Sequence, residues 1–397
     1  MSRPPLGNPL LQQAIRFFTC ETRMMETMAV ACGTPTRLET AWQGNQHALF
    51  DLASLTKLFT GLAAMRLKEE GLLDFSRPVF SYDPRFTALR DATVEQLLSF
   101  SLELRTPARL DACPNRDAAL HCLFSAFPVG PSGRRPYSDI PAMVLKYVLE
   151  SAADLSLMEI FRSRILNPLG MEETFSCIPP DRLADCLRYD REHRIEGTRW
   201  ILRSGPPVGV PHDPKAGILQ ESSGDLCGHA GLFSSLSDLV RLCRGVLSGN
   251  VVSPDSLRLM AVNRTGRRLP DGTYSQYLGY QCYVRHPDQY YSEIPAYMSD
   301  QAIGIGGFTG NHLSIDPERG LFCVMLGNRV HDRLTVLLPE EGKTLRDYGL
   351  NDDGSGFFQW SEDEWIPSSV QYVHQKDAHL HRAVAQALDL TQVTPLS

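Results

Sequence analysis

The pattern of apolar residues divides the chain into strand-like ends and a helix-like middle, and this division is the strongest constraint on its fold. Near the N-terminus, 28–32 and 48–52 have the short apolar pattern of buried strands. Farther along, strands are predicted at 277–284, 312–315 and 321–326, and the last two flank the turn sequence DPERG. The pattern predicts an α+β fold in which both termini build one α/β domain and a mainly helical domain is inserted between them.

Helices are predicted where apolar residues recur at three- and four-residue spacing. The clearest one begins at Ser54 and ends near Gly71, a residue type favoured just after helices. Further helices are expected from Pro9 to about Thr22, from Thr93, from Pro141, from Leu157, near Ser235 and from His379. We therefore place residues 1–74 and 232–397 in the α/β domain and residues 75–231 in the helical domain.

The composition excludes several kinds of partner. The 397 residues carry 39 basic and 46 acidic side chains, a net charge of −7 without a dense Lys/Arg run. We therefore expect neither nucleic acid nor a membrane surface as a partner. The chain has no apolar stretch near the roughly 18 residues that would span a bilayer, and its first residues lack the features of a secretory signal.

The cysteines point to a reducing compartment. None of the ten lies in a C-x-x-C pair, and several stand inside apolar runs. Cys122 and Cys227 each have a His nearby, but neither has the paired spacing of a zinc site. We expect buried, reduced thiols in a cytoplasmic protein, without a metal site.

Ser54-Leu55-Thr56-Lys57 stands where an apolar strand gives way to the strongest helix, and this position suggests a nucleophile. Residues three apart share a helix face, so Lys57 can reach the Ser54 hydroxyl. The free N–H groups and dipole of a helix N-terminus favour negative charge developing there. A partly desolvated Lys can accept a proton from Ser. Taken alone, the pattern also fits an N-cap Ser followed by a solvated Lys.

Two further segments have the residue types that such chemistry needs. Pro136-Tyr137-Ser138-Asp139 precedes an apolar helix, so Tyr137 could transfer protons and Asp139 could hold Lys57. The alternative is a helix-capping Asp139 with Tyr137 in the core. The second segment, 304–310, is rich in glycine and leads into a strand, which would let the backbone approach a ligand. Taken alone, the segment fits an ordinary glycine-rich turn better.

The ordered set of motifs resembles the β-lactamase-like serine hydrolases, a superfamily of class C β-lactamases, D-alanyl-D-alanine peptidases, esterases and acyltransferases. The resemblance covers most of residues 45–332. It rests on the strings DLASLTK, GLLDFSRPV, TVEQLLSF, PYSDI, ILNPLGMEETF, GHAGLFSSLSDL and GFTGNHLSIDPERGLFCVMLGNR. It implies an antiparallel β-sheet flanked by helices, with an all-helical domain beside it.

The resemblance also implies roles for individual residues. Ser54 would be the acylated nucleophile and Lys57 its base, while Tyr137 would pass a proton to the leaving group. Asp139 stands where many relatives have Asn. It could hold Lys57 by a hydrogen bond, but its charge would also keep the amine protonated. The oxyanion hole would consist of the backbone N–H groups of Ser54 and Phe308.

One motif departs from the superfamily pattern. Ile305, Gly306 and Gly307 stand where relatives have K-T-G or H-T-G on the strand that borders the site. The missing cation and hydroxyl bind the substrate carboxylate in β-lactamases and peptidases. Losing such a charge-assisted bond costs roughly 1.5–3 kcal/mol. We therefore expect an uncharged ester, amide or thioester substrate, with these three residues and His312 lining the cleft; His312 could equally face outward.

The leading hypothesis is a serine hydrolase or acyltransferase that acts on a small molecule through an acyl-Ser54 intermediate and needs no cofactor. The alternatives are a β-lactamase or D-alanyl peptidase, and a binding protein on the same scaffold that does not turn over. His229 is expected to be structural, bonded to backbone. Residues 338–375, rich in acids, glycine and aromatics, are either a linker or a folded flap near the site.

Overall fold

A computed structural model of the chain describes residues 7–220, 225–288 and 293–390. Its strands, numbered in chain order, are β1 Met28–Gly33, β2 Leu38–Gln43, β3 Phe50–Asp51, β4 Leu102–Arg105, β5 Phe127–Pro131, β6 Arg191–Glu196, β7 Arg199–Ser204, β8 Phe233–Ser234, β9 Ile303–Gly307, β10 Asn311–Asp316, β11 Leu321–Gly327, β12 Arg333–Leu338, β13 Phe357–Gln359 and β14 Trp365–Pro367.

The α-helices alternate with these strands and, in places, continue into short 3₁₀ or π turns. They are α1 Pro9–Arg16, α2 Thr56–Glu69, α3 Val94–Leu98, α4 Arg116–Phe124, α5 Ile140–Ala153, α6 Leu157–Phe161, α7 Asn167–Leu169, α8 Pro214–Gln220, α9 Leu236–Leu247, α10 Pro254–Met260, α11 Tyr372–Gln375 and α12 Arg382–Ala387. No helix of the described residues is long and apolar enough to cross a membrane.

The main sheet combines both ends of the chain in the order β2-β1-β11-β10-β9, and every neighbouring pair is antiparallel. All residues of β1 and β11 are buried, because helices cover both faces of the sheet. One face packs on α2 and α9 and contributes to the largest apolar core. The other face packs on α1 and α12. The predicted fold class, an antiparallel sheet flanked by helices, is confirmed.

The expected helices form where local signals specify them. Thr93 and Ser156 begin α3 and α6 with capping boxes, in which the cap side chain accepts from the backbone three residues on and the third residue bonds back. Ser235 likewise accepts a hydrogen bond from the Asp238 N–H at the start of α9. The strand predicted at 277–284 is wrong: the segment is an irregular loop with an isolated bridge between Leu278 and Tyr283.

The segment predicted as helical also contains strands. β6 and β7 form an antiparallel pair, and β6 lies parallel to β12 from the C-terminal part of the chain. Their sequence, REHRIEGTRWILRS, is too charged to read as buried strands. The predicted domain division places residues 1–74 and 232–397 in one domain and residues 75–231 in the other, and it stays a prediction. The pairing of β6 with β12 connects segments that this division assigns to different domains.

Residues 338–375 form a folded element rather than a linker. The β13–β14 hairpin and the turns beside it build a small apolar core with the β6–β12 sheet: Ile195, Leu334, Leu337, Leu350, Phe358, Ile366 and Val370. Trp200 on β7 packs against Phe358 with ring centroids 5.1 Å apart. The element thus covers one face of the β6–β7 pair.

A cluster of ionisable side chains is buried beneath the main sheet, on the side of the C-terminal helices. Glu293 lies 3.3 Å from Lys376 Nζ and 3.1 Å from His312 Nδ1, and Asp377 pairs with both Lys376 and His381. Burial and the positive Lys376 lower the pKa of His312 to about 3. The cluster therefore holds His312 neutral, with Glu293 and Lys376 as an ion pair.

This environment predicts a pH dependence of stability. The unfolded chain protonates His312 near pH 6.5 whereas the folded protein does not, so the free energy of unfolding should fall as the pH falls below 6.5. Between pH 6.5 and 4.5 this contribution is about 2–3 kcal/mol. In urea unfolding experiments, the free energy of unfolding of His312→Gln should not show this decrease between pH 6.5 and 4.5. Above pH 7 it should change with pH in the same way as that of the wild type. Equal slopes of both proteins from pH 6.5 to 4.5 would contradict the proposed buried neutral state.

Candidate active site

Ser54 lies at the junction between β3 and α2, in a 3₁₀ turn formed by Ala53–Leu55. Ala53 has a φ of +46°, a conformation that costs energy for a residue with a Cβ and is found at many functional sites. The buried carboxylate of Asp51 holds this turn, because it accepts hydrogen bonds from the N–H groups of Ala53 (2.9 Å) and His212 (2.6 Å). Burial raises the pKa of Asp51 to about 6, although these two bonds favour the ionised form.

Lys57 is fully buried one helical turn beyond Ser54. Its Nζ donates to Ser54 Oγ at 3.0 Å, to Asp139 Oδ1 at 2.7 Å and to the carbonyl of His229 at 3.4 Å. Burial disfavours the charged amine, but Asp139 and the Tyr137 phenol outweigh it and raise the pKa of Lys57 above its usual range. Asp139 was expected either to position Lys57 by a hydrogen bond or to keep its amine protonated. It forms the hydrogen bond, and its charge keeps Lys57 protonated at neutral pH in the resting protein.

Tyr137 is beside this amine, as the family resemblance implied. Lys57 Nζ is 4.8 Å from the centroid of the Tyr137 ring, and the nearby phenol contributes to the raised pKa of Lys57. The ring is fixed between Phe100 and Tyr283, which stack on it with centroids 5.5 and 5.3 Å away. The Tyr137 ring, which comes from a distant part of the sequence, thus lies beside the Ser54–Lys57 pair.

Asp139 is shared between two lysines. Its second oxygen lies 3.1 Å from the Nζ of Lys215, which also pairs with Asp213 at 3.2 Å, and Asp213 in turn contacts Nε2 of His229 at 3.1 Å. Burial opposes the ionisation of Asp139, but Lys57 first, then His229 and Lys215, lower its pKa. The sequence analysis missed Lys215 and Asp213, because HDPKAG carries no signal that relates it to the Ser54 motif.

His229 is buried, and its ring contacts the Asp213 carboxylate at 3.1 Å rather than the backbone partner that was predicted. It belongs to the GHAG loop, which is wedged between α2 and α5. A Cβ on Gly228, whose φ is +80°, would lie 2.5 Å from the carbonyl oxygen of Ala142, and the Gly228 carbonyl accepts a hydrogen bond from Thr60. The motif therefore requires glycine because the loop passes so close to α5.

The end of β9 packs against the backbone that precedes Ser54. A Cβ on Gly307 would lie 2.6 Å from the carbonyl oxygen of Leu52, so only glycine allows this approach. The side chains of Thr309 and Asn311 both donate to the Asp51 carbonyl at 2.7 Å. These contacts bring Phe308 and Ser54 to the same cavity, where their N–H groups are the predicted oxyanion hole.

Three of the predicted substrate-binding residues do not line the cleft. Ile305 is completely buried in the core on the α2 side of the sheet. Gly306 lies on the opposite face of the sheet, where an added Cβ would be 3.4 Å from the Glu293 carboxylate. His312, its partner on β10, is 1% exposed within the buried charged cluster. The prediction was wrong for these residues because the sheet is covered on both faces, so both sets of alternating side chains are interior.

A cavity of about 370 Å³ opens beside Ser54. Its walls are formed by residues from six parts of the chain: Ala53, Ser54, Arg109, Asp111, Arg194, Glu196, Arg203, His212, Asp213, Pro214, Lys215, Ala230 and Phe308. Phe308, 39% exposed, contributes an aromatic surface. The three arginines among these residues were not anticipated from the sequence.

The site is poorly suited to a metal ion. Oxygen atoms of Asp139 and Asp213 and a ring nitrogen of His229 lie within 4.8 Å of one another. However, the ammonium groups of Lys57 and Lys215 already neutralise both carboxylates. A divalent cation would have to displace or repel these ammonium groups, so the donor set favours the ion pairs.

The chain is similar to several known proteins. A family model described as Beta-lactamase matches residues 28–341. A Salmonella gallinarum protein named as a D-alanyl-D-alanine carboxypeptidase is 27% identical over 313 residues, which cover 72% of this chain and 70% of that protein.

Two solved structures share the fold. EstCE1, described as a hydrolase with promiscuous acyltransferase activity, is 20% identical with a TM-score of 0.64 and covers 80% of this chain and 92% of its own. A mutant of simvastatin synthase from Aspergillus terreus is 16% identical with a TM-score of 0.61, and the match covers 95% of this chain and 97% of that one. Since the family model matches most of its length, the chain belongs to the beta-lactamase family.

Proposed function

We propose that the protein is a serine hydrolase or acyltransferase that works through a covalent acyl-Ser54 intermediate. The observation that carries this proposal is the contact of Lys57 Nζ with both Ser54 Oγ (3.0 Å) and Asp139 (2.7 Å), beside the Tyr137 ring. A binding protein without turnover would not require a hydroxyl, an amine and a phenol together. No cofactor enters the proposed reaction, because acyl transfer through Ser needs none.

The reaction begins when the neutral amine of Lys57 takes the proton of Ser54 while Oγ bonds to the acyl carbon. The N–H groups of Ser54 and Phe308 stabilise the oxyanion of the tetrahedral intermediate. Tyr137 passes a proton to the leaving group as its bond to the acyl carbon breaks. Water or an alcohol then gives a proton to Tyr137 and bonds to the acyl carbon. Lys57 returns a proton to Ser54 Oγ as the bond between Oγ and the acyl carbon breaks, which releases the acid or the new ester. Because Asp139 favours protonated Lys57, the reactive fraction should grow as the pH rises.

The substrate is proposed to be a small-molecule ester or amide that is uncharged where it meets β9. That edge offers no cation, since Ile305 is interior and Phe308 presents an aromatic ring to the cavity. The acyltransferase activity described for EstCE1 supports the same reaction class. A D-alanyl peptidase is the second candidate, favoured by the names of the Salmonella relatives. The expected cytoplasmic location stays a prediction.

Removal of the nucleophile is the first test. A fluorophosphonate probe, which bonds to an activated Ser and releases fluoride, should add one label per chain in intact-mass measurements. Ser54→Ala should abolish labelling and 4-nitrophenyl ester hydrolysis, whereas Ser138→Ala in the nearby PYSDI segment should retain both. Undiminished labelling of Ser54→Ala would refute the assigned nucleophile.

Lys215 should set the pH dependence of the reaction. Without its charge, Asp139 acts on Lys57 alone, so the pKa of Lys57 rises further. In Lys215→Met we expect the rising limb of the kcat/KM profile to move up by about one pH unit, which is about a tenfold loss at pH 7. Asp139→Asn should move the rising limb of the kcat/KM profile to lower pH. The double variant Lys215→Met/Asp139→Asn should therefore recover most of the activity that Lys215→Met loses at pH 7.

The matched control for this test is Lys68→Met, which removes an exposed lysine from the same helix as Lys57. Its profile should coincide with that of the wild type. If Lys215→Met lowers activity equally at all pH values, or if Asp139→Asn gives no recovery, Lys215 has only a structural role.

The close approach of β9 to the loop before Ser54 gives a third test. Gly307→Ala places a methyl group against the Leu52 carbonyl, so β9 must shift and carry the Phe308 N–H away from the oxyanion position. We expect at least about a tenfold slower rate of fluorophosphonate labelling, in the range found when one oxyanion donor is lost. Gly306→Ala, whose added methyl group meets only Glu293 at 3.4 Å, should have a much smaller effect. Equal rates for both variants would rule out this role of β9.

A further inference from the structure

Two of the arginines that line the cavity beside Ser54 make few of their possible hydrogen bonds. Arg194 on β6 lies 3.3 Å from a Glu196 oxygen and 3.9 Å from Glu192, and Arg203 on β7 lies 3.8 Å from Glu192. In the described part of the chain neither guanidinium donates a hydrogen bond to protein, and Arg194 Nε is buried without a partner. A guanidinium has five N–H donors, so this end of the cavity is rich in unused donors.

Strand pairing explains why both arginines point to the cavity. Glu192 is opposite Arg203, and Arg194 is opposite Ile201, so 192, 194, 201 and 203 share one face of the β6–β7 pair. The other face, with Ile195 and Trp200, is covered by residues 338–375. The folded C-terminal element thereby leaves the arginines on the face that also carries Glu192, their buried counter-charge.

The carboxylates nearby do not use up these donors. Glu192 is 1% exposed, and its Oε1 accepts from Thr335 at 2.7 Å, while its Oε2 has no hydrogen-bond partner. Arg109 at the same end differs, since it forms two short bonds with Asp111. Arg194 and Arg203 therefore attract a planar anion that can bridge them, and a carboxylate is the group that a guanidinium fork fits best.

We propose that this end of the cavity binds a carboxylate at the far end of the acyl group carried by Ser54. This inference rests on the proposed acyl-Ser54 chemistry and adds a substrate class, acyl groups that end in a carboxylate. The acyl side is indicated because Tyr137, which must reach the leaving group, does not line this cavity. Phe308 lines the same cavity with an aromatic ring, which suits an apolar chain connecting the two ends of the acyl donor. The donor is thus uncharged at β9 and anionic at its distant end.

The test compares two chromogenic esters of equal chain length, the 4-nitrophenyl half-ester of adipic acid and 4-nitrophenyl hexanoate. With the wild type we expect kcat/KM to be about 10- to 100-fold higher for the anionic ester, the range for a charge-assisted hydrogen bond. In the double variant Arg194→Met/Arg203→Met the ratio should fall to about one, because kcat/KM for the anionic ester falls by much more than kcat/KM for the hexanoate. A wild-type ratio of one or less, or a ratio that survives the double variant, would overturn the proposal.

Arg199→Met is the matched control. Arg199 belongs to the same strand pair, is 73% exposed and does not line the cavity, so the preference for the anionic ester should persist. Binding separates this inference from the proposed function: adipate should raise the Tm of the wild type but not of the double variant, and adipamide should raise neither. If adipate raises the Tm but the protein hydrolyses no ester, the anion site is supported and the proposed hydrolase activity is rejected. If the protein hydrolyses esters but shows neither a Tm shift nor a preference for the anionic ester, the hydrolase activity is supported and the anion site is rejected.

Discussion

The carboxylate of Asp139, held between the ammonium groups of Lys57 and Lys215, is the interaction on which the site depends. A lysine buried as completely as Lys57 is stable in its charged form only beside an opposite charge, and the contact of 2.7 Å provides one. The same contact points the amine at Ser54 Oγ. By binding the other oxygen of Asp139, Lys215 limits how strongly that carboxylate holds the proton on Lys57. One network therefore determines the geometry, the burial and the protonation state of the reactive group.

A second network fixes the backbone around Ser54. Asp51 accepts from Ala53 and His212 through its side chain and from Thr309 and Asn311 through its carbonyl, so the segment before Ser54 is bonded to two other parts of the chain. These bonds stabilise the positive φ of Ala53, which the local sequence alone would not favour. They also keep the end of β9 against Leu52. Such cross-linking of a reactive turn is how a fold prepares donors for charge that develops later.

The charged lining of the cavity comes largely from parts of the chain outside the motifs shared with the superfamily. The β6–β7 pair is held by β12 and covered by residues 338–375, and its free face provides the arginines. Residues that the superfamily uses on β9 to bind a carboxylate are missing here, and cations stand instead at the opposite end of the cavity. This site therefore differs from the motif pattern of the D-alanyl peptidases in where its cationic side chains lie, whereas the Ser, Lys and Tyr residues are the same.

Local signals in the sequence determined most helices, the central strands and the pairing of Ser54 with Lys57, because capping, periodicity and three-residue spacing act within a few residues. The tertiary structure alone decided the rest. Lys215 meets Asp139 only when α8 packs beside the GHAG loop, and no local pattern encodes that contact. The charged strands β6 and β7 form because β12 and the C-terminal element cover them. Ile305 and His312 were misplaced because strand alternation specifies two faces, whereas the helices packed on each face decide which of them is interior.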